Sequence, residues 1–362
     1  YPMARHLAQA GHAVCVYNRT TAKAEHWLAE IEGKAPTSRH RLALTPREAA
    51  QDADIVFSCV GNDDDLRSVV LGEDGAFVGM KPGALYVDHT TASAEVSREL
   101  DAAARAHGLH FVDAPVSGGQ AGAEKGCLTV MCGGTEADVE RMRPISMAYA
   151  QAITRVGDAG AGQLAKMVNQ ICIAGLVQGL AEAIHFGEVA GLDMKQVLDV
   201  IGKGAAQSWQ MDNRGKTMTD RQFDFGFAVD WMRKDLGLCL DQARRSDVTL
   251  PITALVDQFY GDVQALGGNR WDTSSLIVRF DHLKKQKPWA CSLQEGRLPT
   301  FLGSPFLPIP ASPRLFRQRR FPVPSVQALC PSAGALPVPL PGTAPVGPFL
   351  QQPGQRLSVP RQ

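Results

Sequence analysis

The chain has 362 residues, of which 44% are apolar and 7% aromatic, enough to bury the cores of two ordinary domains. Its 37 Lys and Arg balance its 37 Asp and Glu, and the isoelectric point is near 7.2. A molecule without net charge does not attract a nucleic acid or an anionic membrane as a whole. The composition therefore argues against both partners and favours a small molecule.

The sequence changes character near Lys287. Of the 23 prolines, 16 follow this residue, and seven Arg there face a single acid, Glu295, so residues 288–362 carry a charge of +6 and the rest of the chain −6. Such a segment buries too little apolar surface to offset its ordering entropy, so we predict a disordered Pro/Arg-rich tail. Two interpretations of the tail stay open: a linker or ligand for proline-recognising domains, and a non-native extension from a shifted reading frame or an aberrant transcript.

The eight cysteines form no CxxC pair and have no His partner at metal-ligand spacing, so we expect neither a metal site nor a redox dithiol. Most lie in apolar runs and are predicted to be reduced core residues. We find no apolar stretch as long as the roughly 18 residues of a membrane-spanning helix, and no signal peptide. These features predict a soluble, cytoplasmic protein without a membrane partner.

Through residues 1–157, short apolar runs alternate with amphipathic helical patterns, which is typical of a parallel sheet covered by helices. The predicted strands are 13–17, 54–60, 84–88, 110–113, 127–132 and 152–156. The predicted helices between them are 21–31, 64–71, 93–107 and 136–143. We therefore predict a doubly wound, Rossmann-like α/β domain over residues 1–157.

A domain of this kind opens with a strand and a glycine-rich loop, GxGxxG, that receives the pyrophosphate of a dinucleotide. Residues 1–10 instead read as the latter part of a helix that ends at Gly11. We therefore expect the domain to lack its first strand and glycine loop. On that expectation, NADPH binds the chain at least roughly 10³-fold more weakly than a chain that carries both.

From Asp158 onwards the pattern is helical throughout. Residues 158–191 are small and apolar without strand-like alternation and predict one long buried helix. Further helices are predicted over 194–201, 229–245, 252–266 and 274–285. We assign residues 158–287 to an all-helical domain for substrate binding and dimerisation.

Asn18, Arg19 and Thr20 follow the first predicted strand. An acid at this place in a Rossmann unit accepts hydrogen bonds from the adenosine ribose 2′-OH, whereas an Arg pairs with a 2′-phosphate. Arg19 therefore favours NADP over NAD, with NAD still possible. The alternative is a solvated Arg at a turn before a helix.

Ser117, Gly118 and Gly119 lie in a loop that follows the strand ending at Asp113. Two successive glycine amides beside a serine hydroxyl suit an anionic oxygen such as a substrate carboxylate. The alternative is a plain Gly-Gly turn.

Lys166 and Gln170 lie four residues apart on one face of the long predicted helix, with Asn169 beside them. A lysine on a buried helix is costly unless a polar cleft receives it, and the pKa of a partly desolvated lysine falls into a range useful for proton transfer. The alternative is a side chain whose ammonium reaches the surface.

In this order the segments resemble the β-hydroxyacid dehydrogenase family, which includes 3-hydroxyisobutyrate dehydrogenase, tartronate semialdehyde reductase, and the glyoxylate and succinic semialdehyde reductases. The resemblance covers residues 1–285. It rests on five segments of this sequence: residues 1–4 (YPMA), 88–93 (DHTTAS), 113–119 (DAPVSGG), Lys166, and 234–238 (KDLGL). The chain departs from the family at Gln170, where several members have Asn, and at Ala94, where many have Pro.

The resemblance implies hydride transfer between C4 of a nicotinamide and the hydroxyl-bearing carbon of a short 3-hydroxy or 2-hydroxy acid, or of the matching semialdehyde. Lys166 is then the proton donor and acceptor for the substrate oxygen. Ser117, Gly118 and Gly119 hold the substrate carboxylate. The hydroxyl is oriented by an amide, either Gln170 or Asn169.

The resemblance also implies the cofactor site. Thr91 and Lys234 wall the nicotinamide pocket, and the rest of the dinucleotide is bound by Asn18, Arg19, Thr20 and Val60. The family resemblance and the apolar helices of the second domain further suggest a homodimer or homotetramer.

Three alternatives stay open. Imine reductases share the architecture, but the resemblance there implies a different residue at the position of Lys166. A 6-phosphogluconate dehydrogenase is disfavoured because the helical domain is much smaller. The third alternative is a non-catalytic remnant of such an enzyme, with at most a binding role.

Overall fold

The alternation of the first 157 residues folds into a sheet with helices on its faces. The computed structural model describes residues 1–37 and 39–285, so the tail predicted over 288–362 lies outside the described residues. The strands are β1 (Cys15–Val16), β2 (Arg41–Leu42), β3 (Ile55–Ser58), β4 (Leu85–Asp88), β5 (His110–Asp113), β6 (Val116–Ser117), β7 (Leu128–Gly133) and β8 (Ala150–Gly157). The helices among them are α1 (Pro2–Gln9), α2 (Thr21–Ile31), α3 (Pro46–Ala50), α4 (Asp63–Leu71), α5 (Ala76–Gly79), α6 (Ala94–Ala106), α7 (Gly119–Lys125) and α8 (Glu136–Ser146).

The main sheet has the order β3-β4-β5-β7-β6, and β8 pairs with β7. Strands β3, β4 and β5 are parallel, with Ile55 opposite Leu85 and Leu85 opposite His110. Strand β7 is antiparallel to both β5 and β6, so the sheet is mixed rather than parallel throughout. The pattern of apolar residues reports which face of a strand is buried and not the direction in which the strand runs, so the sequence could not show this.

Strands β1 and β2 form a separate two-stranded parallel sheet. A cavity of about 940 Å³ lies between β1 and β3, and its walls include Cys15 and Tyr17 on one side and Ile55 and Phe57 on the other. Within the described residues no strand occupies this space. The cavity runs along both strands, from Ala13 and Asp54 before them to Tyr17 and Cys59 after them. It therefore includes the carboxyl ends of the strands, where doubly wound folds bind their ligands.

The second half of the described chain is all-helical, as predicted. Its elements are α9 (Ala161–Val189), α10 (Met194–Ile201), α11 (Trp209–Thr219), α12 (Val229–Arg245), α13 (Pro251–Ala265), a 3-10 turn (Thr273–Ile277) and α14 (Val278–Lys285). Helix α9 forms the spine of one hydrophobic core through side chains such as Ala174, Val177 and Ile184, which pack with Met232 and Tyr260 of α12 and α13. We refer to α9–α14 as the helical domain.

Helix α9 corrects one expectation from the sequence. An 18-residue window of it has a mean hydropathy of 1.4, so by length and composition it could cross a membrane, contrary to our finding of no such stretch. In the structure, 44% of that window is buried against the rest of the protein. The apolar composition therefore serves the core of the helical domain on one side of the helix.

Several short elements were not predicted. Helices α3, α5 and α7 have four to seven residues, too few to show a helical period, and strands β2 and β6 have two residues each. Helix α11 was missed because only a few apolar residues mark its sequence, WQMDNRGKTMT, although Ser208 caps its N-terminus by accepting from Met211 N at 3.1 Å.

The prediction for the cysteines is wrong for most of the described ones. Of these, Cys132 and Cys239 are buried, whereas Cys59 and Cys172 are exposed. All six described cysteines are free, and Cys291 and Cys330 lie outside the described residues. An apolar neighbourhood in sequence did not predict burial because residues at the ends of strands and on the outer face of α9 share it.

Candidate active site

The predicted site residues meet at one edge of the sheet. Strands β3, β4 and β5 are parallel, so the loops after Ser58, Asp88 and Asp113 leave from the same edge. The N-terminus of α9 contacts these loops, and α12 reaches them from the helical domain. The site is therefore built from both halves of the chain.

The loop after β4 is tied down by the carboxylate of Asp88. Its Oδ1 accepts from Ser58 Oγ at 2.7 Å, from Thr90 Oγ1 at 2.6 Å and from Thr90 N at 3.1 Å. The Oδ2 atom is buried without a partner in the structure. Burial raises the pKa of Asp88 to about 6, against the hydrogen bonds that lower it.

The loop after β5 begins at Asp113, which is fully buried. Its carboxylate accepts from the backbone of α9, with Oδ1 bound by Gly160 N at 2.7 Å and Oδ2 by Gln163 N at 2.9 Å. Burial raises the pKa of Asp113 to about 7, and the two N–H donors oppose that shift. The last residue of β5 thus caps the helix that carries Lys166.

Ser117, Gly118 and Gly119 form the turn from β6 into α7. Ser117 pairs with Thr129 across the sheet, and the glycines have φ of 128° and 62°. Both angles lie in the left-handed region, so the turn requires glycine at these positions. Gly118 is the N-cap of α7 and supplies no side-chain cap, which leaves first-turn N–H groups of this helix for another acceptor.

Lys166 lies in the second turn of α9 and is only 8% exposed. Its Nζ donates to the carbonyl of Val116 at 2.9 Å, the residue before Ser117. Burial lowers the pKa of the Lys166 ammonium, while the carboxylate of Asp235 raises it and the ammonium of Lys234 lowers it further. The structure therefore places this ammonium inside the protein, next to Ser117, rather than at the surface.

Asn169 and Gln170 form one hydrogen-bonded chain. Asn169 Nδ2 donates to Gln170 Oε1 at 2.8 Å, and Gln170 Nε2 donates to Asp235 Oδ2 at 2.6 Å. Gln170 is buried, and Asn169 is half-buried. The two amides therefore act as a pair that is anchored on α12.

Lys234 and Thr91 lie together as the family resemblance implied. Lys234 Nζ donates to the carbonyl of Thr91 and forms an ion pair with Asp235 Oδ1 at 2.9 Å. Burial raises the pKa of Asp235, and the neighbouring Lys234 opposes this. This contact joins the helical domain to the loop after β4.

The residues predicted for the adenosine end lie at the mouth of the cavity between β1 and β3. Asn18, Arg19 and Thr20 line it together with Val60. Asn18 Oδ1 accepts from Thr20 N at 2.9 Å and so shapes the turn before α2. The Arg19 side chain is 86% exposed and pairs with Asp65 at 3.2 Å.

The residues present fit a nicotinamide dinucleotide. The exposed guanidinium of Arg19 and the cavity beside it suit a phosphate-bearing adenosine, and the cavity wall continues along Ser58 to Val60. Val60 N donates to Thr90 Oγ1 at 3.0 Å, which connects this wall to the loop that carries Thr91. Lys166 and Lys234 then lie at the other end of the site, on the second domain.

Three residues of the site were not assigned a role from the sequence: Asp113, Gln163 and Asp235. Each lay inside a segment already singled out, but a buried acid and an amide are also common structural residues. A signal did exist for Gln163, which precedes Lys166 by three residues and so shares its face of the helix. Its partners come from a loop some 70 residues earlier, and the sequence does not show them.

The fold and the site define the class of protein: a two-domain NAD(P)-dependent oxidoreductase with a Rossmann-like domain followed by a helical domain. Residues 1–157 match the NAD binding domain of 6-phosphogluconate dehydrogenase, and residues 160–280 match the NAD-binding domain of NADP-dependent 3-hydroxyisobutyrate dehydrogenase. Both matches agree with the two halves of the described structure.

Relatives and a solved structure agree with this class. The chain is 60% identical over 281 residues to an uncharacterised oxidoreductase of Shewanella frigidimarina, covering 78% of this chain and 94% of that protein. It is 32% identical to 2-hydroxy-3-oxopropionate reductase of Escherichia coli, over 79% of this chain and 95% of the reductase. A crystal structure of 3-hydroxyisobutyrate dehydrogenase from Salmonella typhimurium superposes with a TM-score of 0.68 at 31% identity, covering 77% of this chain and 95% of that one. The chain belongs to the β-hydroxyacid dehydrogenase family, which confirms the resemblance and the Rossmann-like and helical fold predicted from the sequence.

Proposed function

We propose that this protein is an NADP-dependent oxidoreductase that interconverts a small 3-hydroxy or 2-hydroxy acid and the matching semialdehyde or oxo acid. The observation that carries the proposal is a buried lysine ammonium held at the loop that ends in Ser117, Gly118 and Gly119. A nicotinamide dinucleotide held by Arg19 at the cavity and by Thr91 and Lys234 at its nicotinamide end would supply or accept the hydride. A relative named 2-(hydroxymethyl)glutarate dehydrogenase and another named 2-hydroxy-3-oxopropionate reductase support this substrate class.

Lys166 moves the proton in this scheme. Charge builds on the substrate oxygen as hydride arrives or departs, and a positioned ammonium offsets it and donates or accepts the proton. Desolvation lowers the pKa of Lys166, which brings its deprotonated form closer to neutral pH. Its present acceptor, the carbonyl of Val116, holds the ammonium until a substrate oxygen takes that place.

The substrate carboxylate and hydroxyl are held on either side of this ammonium. The amides of Gly118 and Gly119 and the hydroxyl of Ser117 receive the carboxylate, since the first turn of α7 has no cap of its own. The paired amides of Asn169 and Gln170 orient the hydroxyl, with Asp235 holding the pair in place.

The preference for NADP is supported by Arg19. Its guanidinium is exposed at the cavity mouth, and the side chain of its partner Asp65 is about a third exposed, so water already weakens this ion pair and exchanging the carboxylate for a 2′-phosphate costs little. Thr91 and Lys234 face the nicotinamide end in this proposal.

We also propose that two copies of the chain associate through the outer face of α9. The exposed side chains on that face include Val168 (61% exposed), Leu176 (47%) and Phe186 (72%). They span about 27 Å of helix at 1.5 Å per residue. Between Val168 and Phe186 the helix carries a single charged residue, Glu182, which is unusual for a face left in water.

A second copy of α9 suits this face better than a charged partner. Gly175 and Gly179 lie on it one turn apart, and a Cβ at either position meets nothing within 4 Å. Small residues at this spacing let two helix backbones approach closely, and a two-fold axis places the same apolar residues on both sides.

The experiment that tests the activity is a substrate panel on the full chain, in which the hydroxy acid is assayed with NADP⁺ and NAD⁺ and the aldehyde substrates with NADPH and NADH. The panel contains 3-hydroxyisobutyrate, tartronate semialdehyde, glyoxylate and succinic semialdehyde. Turnover of one of these that is lost in Lys166→Ala supports the proposal. The absence of NADPH binding in a fluorescence titration would instead favour a non-catalytic protein with a binding role.

A further inference from the structure

The N-terminus of α9 is capped from another element. Its N-cap residue, Gly160, has no side chain, so the N–H groups of the first turn need acceptors from elsewhere. Asp113 supplies them through both carboxylate oxygens, to Gly160 N at 2.7 Å and Gln163 N at 2.9 Å. The helix that carries Lys166 is thereby bound to the end of β5. We refer to the loop after β4, which contains Thr91, and the loop after β5, which leads to Ser117, as the two substrate loops of the proposed function.

Two glycines make room for this contact. A Cβ on Gly162 would lie 2.5 Å from the carbonyl oxygen of Met131 and 2.8 Å from Asp113 Oδ2, and a Cβ on Gly133 would lie 2.8 Å from the same oxygen. Neither approach is possible for a larger residue. The carboxylate of Asp113 therefore occupies a space between β7 and α9 that is free because residues 133 and 162 are glycines.

The side chain of Gln163 binds the same turn of α9 to the loop after β4. Its Nε2 donates to the carbonyl of Thr90 at 2.8 Å, and its Oε1 accepts from Ala92 N at 3.0 Å. Gln163 is fully buried, so both bonds are shielded from water. The bonds flank Thr91, whose carbonyl accepts from Lys234.

Gln163 and Lys166 are three residues apart and share a face of α9. The first two turns of α9 therefore fix the positions of the loop after β4, the loop after β5 and the Lys166 ammonium relative to one another. A small rotation or shift of the helix would move the ammonium relative to both loops at once.

We propose that Asp113 and Gln163 are positioning residues that keep Lys166 in register with the two substrate loops. This inference rests on the proposed role of Lys166. Neither residue needs to touch the substrate, since both act through the helix N-terminus. Because a misplacement of about 1 Å can cost about 10²-fold in rate, loosening this turn is expected to slow the chemical step.

Isosteric substitutions test the inference with little change in packing. In Asp113→Asn, one oxygen still accepts, but the NH2 group faces the second backbone N–H. In Gln163→Glu, a carboxylate oxygen replaces the donor and faces the carbonyl of Thr90. Each variant thus breaks one of two bonds without opening a cavity.

Two variants serve as matched controls. Asp138 is also a buried acid at a helix N-terminus, where Oδ2 accepts from Thr135 Oγ1 at 2.6 Å, and it lies near His110 at the opposite end of β5. Gln178 is a buried glutamine on α9 itself, 15 residues after Gln163. Asp138→Asn and Gln178→Glu are expected to change stability without changing the rate of hydride transfer.

The kinetic experiment uses the full chain with its best substrate. We expect Asp113→Asn and Gln163→Glu to lower kcat by roughly 10- to 100-fold, while the Kd for NADPH changes by less than about threefold. Both controls should retain kcat within about twofold. Combining Asp113→Asn with Lys166→Ala should slow the enzyme little beyond Lys166→Ala alone, because the two residues act through one group. The inference would be overturned if the losses of the two single variants multiply in the double variant, or if kcat is unchanged in both test variants.

Amide hydrogen exchange provides a readout that does not depend on turnover. Peptides covering residues 88–93, 113–119 and 160–166 should exchange at least about tenfold faster in the test variants than in the controls. If Lys166→Ala keeps the parent rate, the proposed function fails while the exchange data still decide whether the turn is loosened. Unchanged exchange in these peptides would refute the positioning role even in an active enzyme.

Discussion

At the scale of single residues, the site depends on charges that the protein holds out of water. Lys166 and Asp235 are buried and Lys234 is half-buried, and each of the three charges has an opposite partner or a carbonyl. The pairing offsets part of the desolvation cost, and an unpaired charge at the same place would carry that cost in full. Removing one member therefore changes both the chemistry and the balance of the remaining charges.

Replacing Lys166 by Ala should lower kcat by roughly 10²-fold or more and leave the Kd for NADPH nearly unchanged, as expected for a group that transfers a proton. Lys166→Arg should restore little activity, since a guanidinium does not release its proton near neutral pH. Steady-state kinetics and a fluorescence titration of NADPH measure the two quantities. Turnover within a few-fold of the parent in the Ala variant would place proton transfer on another group.

Arg19→Asp should weaken NADP binding by roughly ten- to hundredfold, since it removes a charge-assisted contact and sets a carboxylate against the 2′-phosphate. NAD binding should change far less. The comparison is the ratio of the Kd values for NADPH and NADH. Arg244→Asp is the matched control, because Arg244 is also an exposed arginine paired with an aspartate, Asp241, and both lie on α12 in the helical domain. An unchanged ratio in Arg19→Asp would leave Arg19 as a surface residue only.

His89 predicts a dependence of stability on pH. It is buried with Nδ1 at 2.6 Å from the carbonyl of Ala114, so Nδ1 carries the proton and Nε2 accepts from Tyr149 at 2.8 Å. Burial lowers the pKa of His89 from 6.5 to about 4. Below pH 6.5 the unfolded chain therefore binds a proton that the folded chain does not, and the free energy of unfolding falls by about 1.4 kcal/mol per pH unit.

The measurement is urea unfolding of the parent and of His89→Gln at pH 7 and pH 4.5. The difference in the free energy of unfolding between the parent and His89→Gln should be about 2 to 3 kcal/mol less favourable to the parent at pH 4.5 than at pH 7, because the variant lacks the titrating group. The exposed His12→Gln should show no such change. A pH-independent difference for His89→Gln would mean that the imidazole is protonated equally in both states.

At the scale of elements, the two ends of α9 have different roles. Its N-terminal turns carry the site and approach the sheet so closely that glycine is required, while its later turns fill the core of the helical domain. The close approach at Gly162 and the open surroundings of other helical glycines can be told apart experimentally.

Gly162→Ala should destabilise the protein by about 2 kcal/mol or more, since the added methyl group meets backbone oxygens of Met131 and Asp113 at 2.5 and 2.7 Å. The matched control is Gly237→Ala in α12, where a Cβ meets nothing within 4 Å. That change should stabilise the protein by about 0.5 to 1 kcal/mol, as helix propensity predicts. Chemical denaturation of both variants measures the contrast, and equal effects would show that the contact at Gly162 relaxes at little cost.

At the scale of the whole molecule, the exposed apolar side chains on the outer face of α9 are proposed to contact a second copy of the chain. Phe186→Glu places a charge at one end of the proposed contact between two copies, at its most exposed apolar side chain, and should convert a dimer into a monomer. Val200→Glu is the control, because Val200 is 71% exposed on α10 and lies off this face. Sedimentation at several concentrations measures the mass. A parent chain that is monomeric at 100 μM would rule out this use of α9.

How much could be predicted from the sequence depends on the range of the interaction. The strand and helix patterns of residues 1–157 and the long helix after Asp158 follow local periodicity, and α2, α10 and α12 begin and end where that periodicity predicts. The motifs around Ser117, Lys166 and Lys234 carry enough chemistry in short segments to show the family.

Other features were decided only by tertiary structure. The reversal of β7, the cavity between β1 and β3, and the caps that Asp113 and Gln163 place on distant backbone groups join segments that are 20 to 70 residues apart. A carboxylate or an amide has the same local pattern whether it caps its own turn, meets solvent or binds a distant loop. The sequence by itself therefore determined the class of fold and singled out Lys166, because these depend on local periodicity and short motifs. The position of Lys166 relative to the loops after β4 and β5 is set by contacts between distant segments of the described chain.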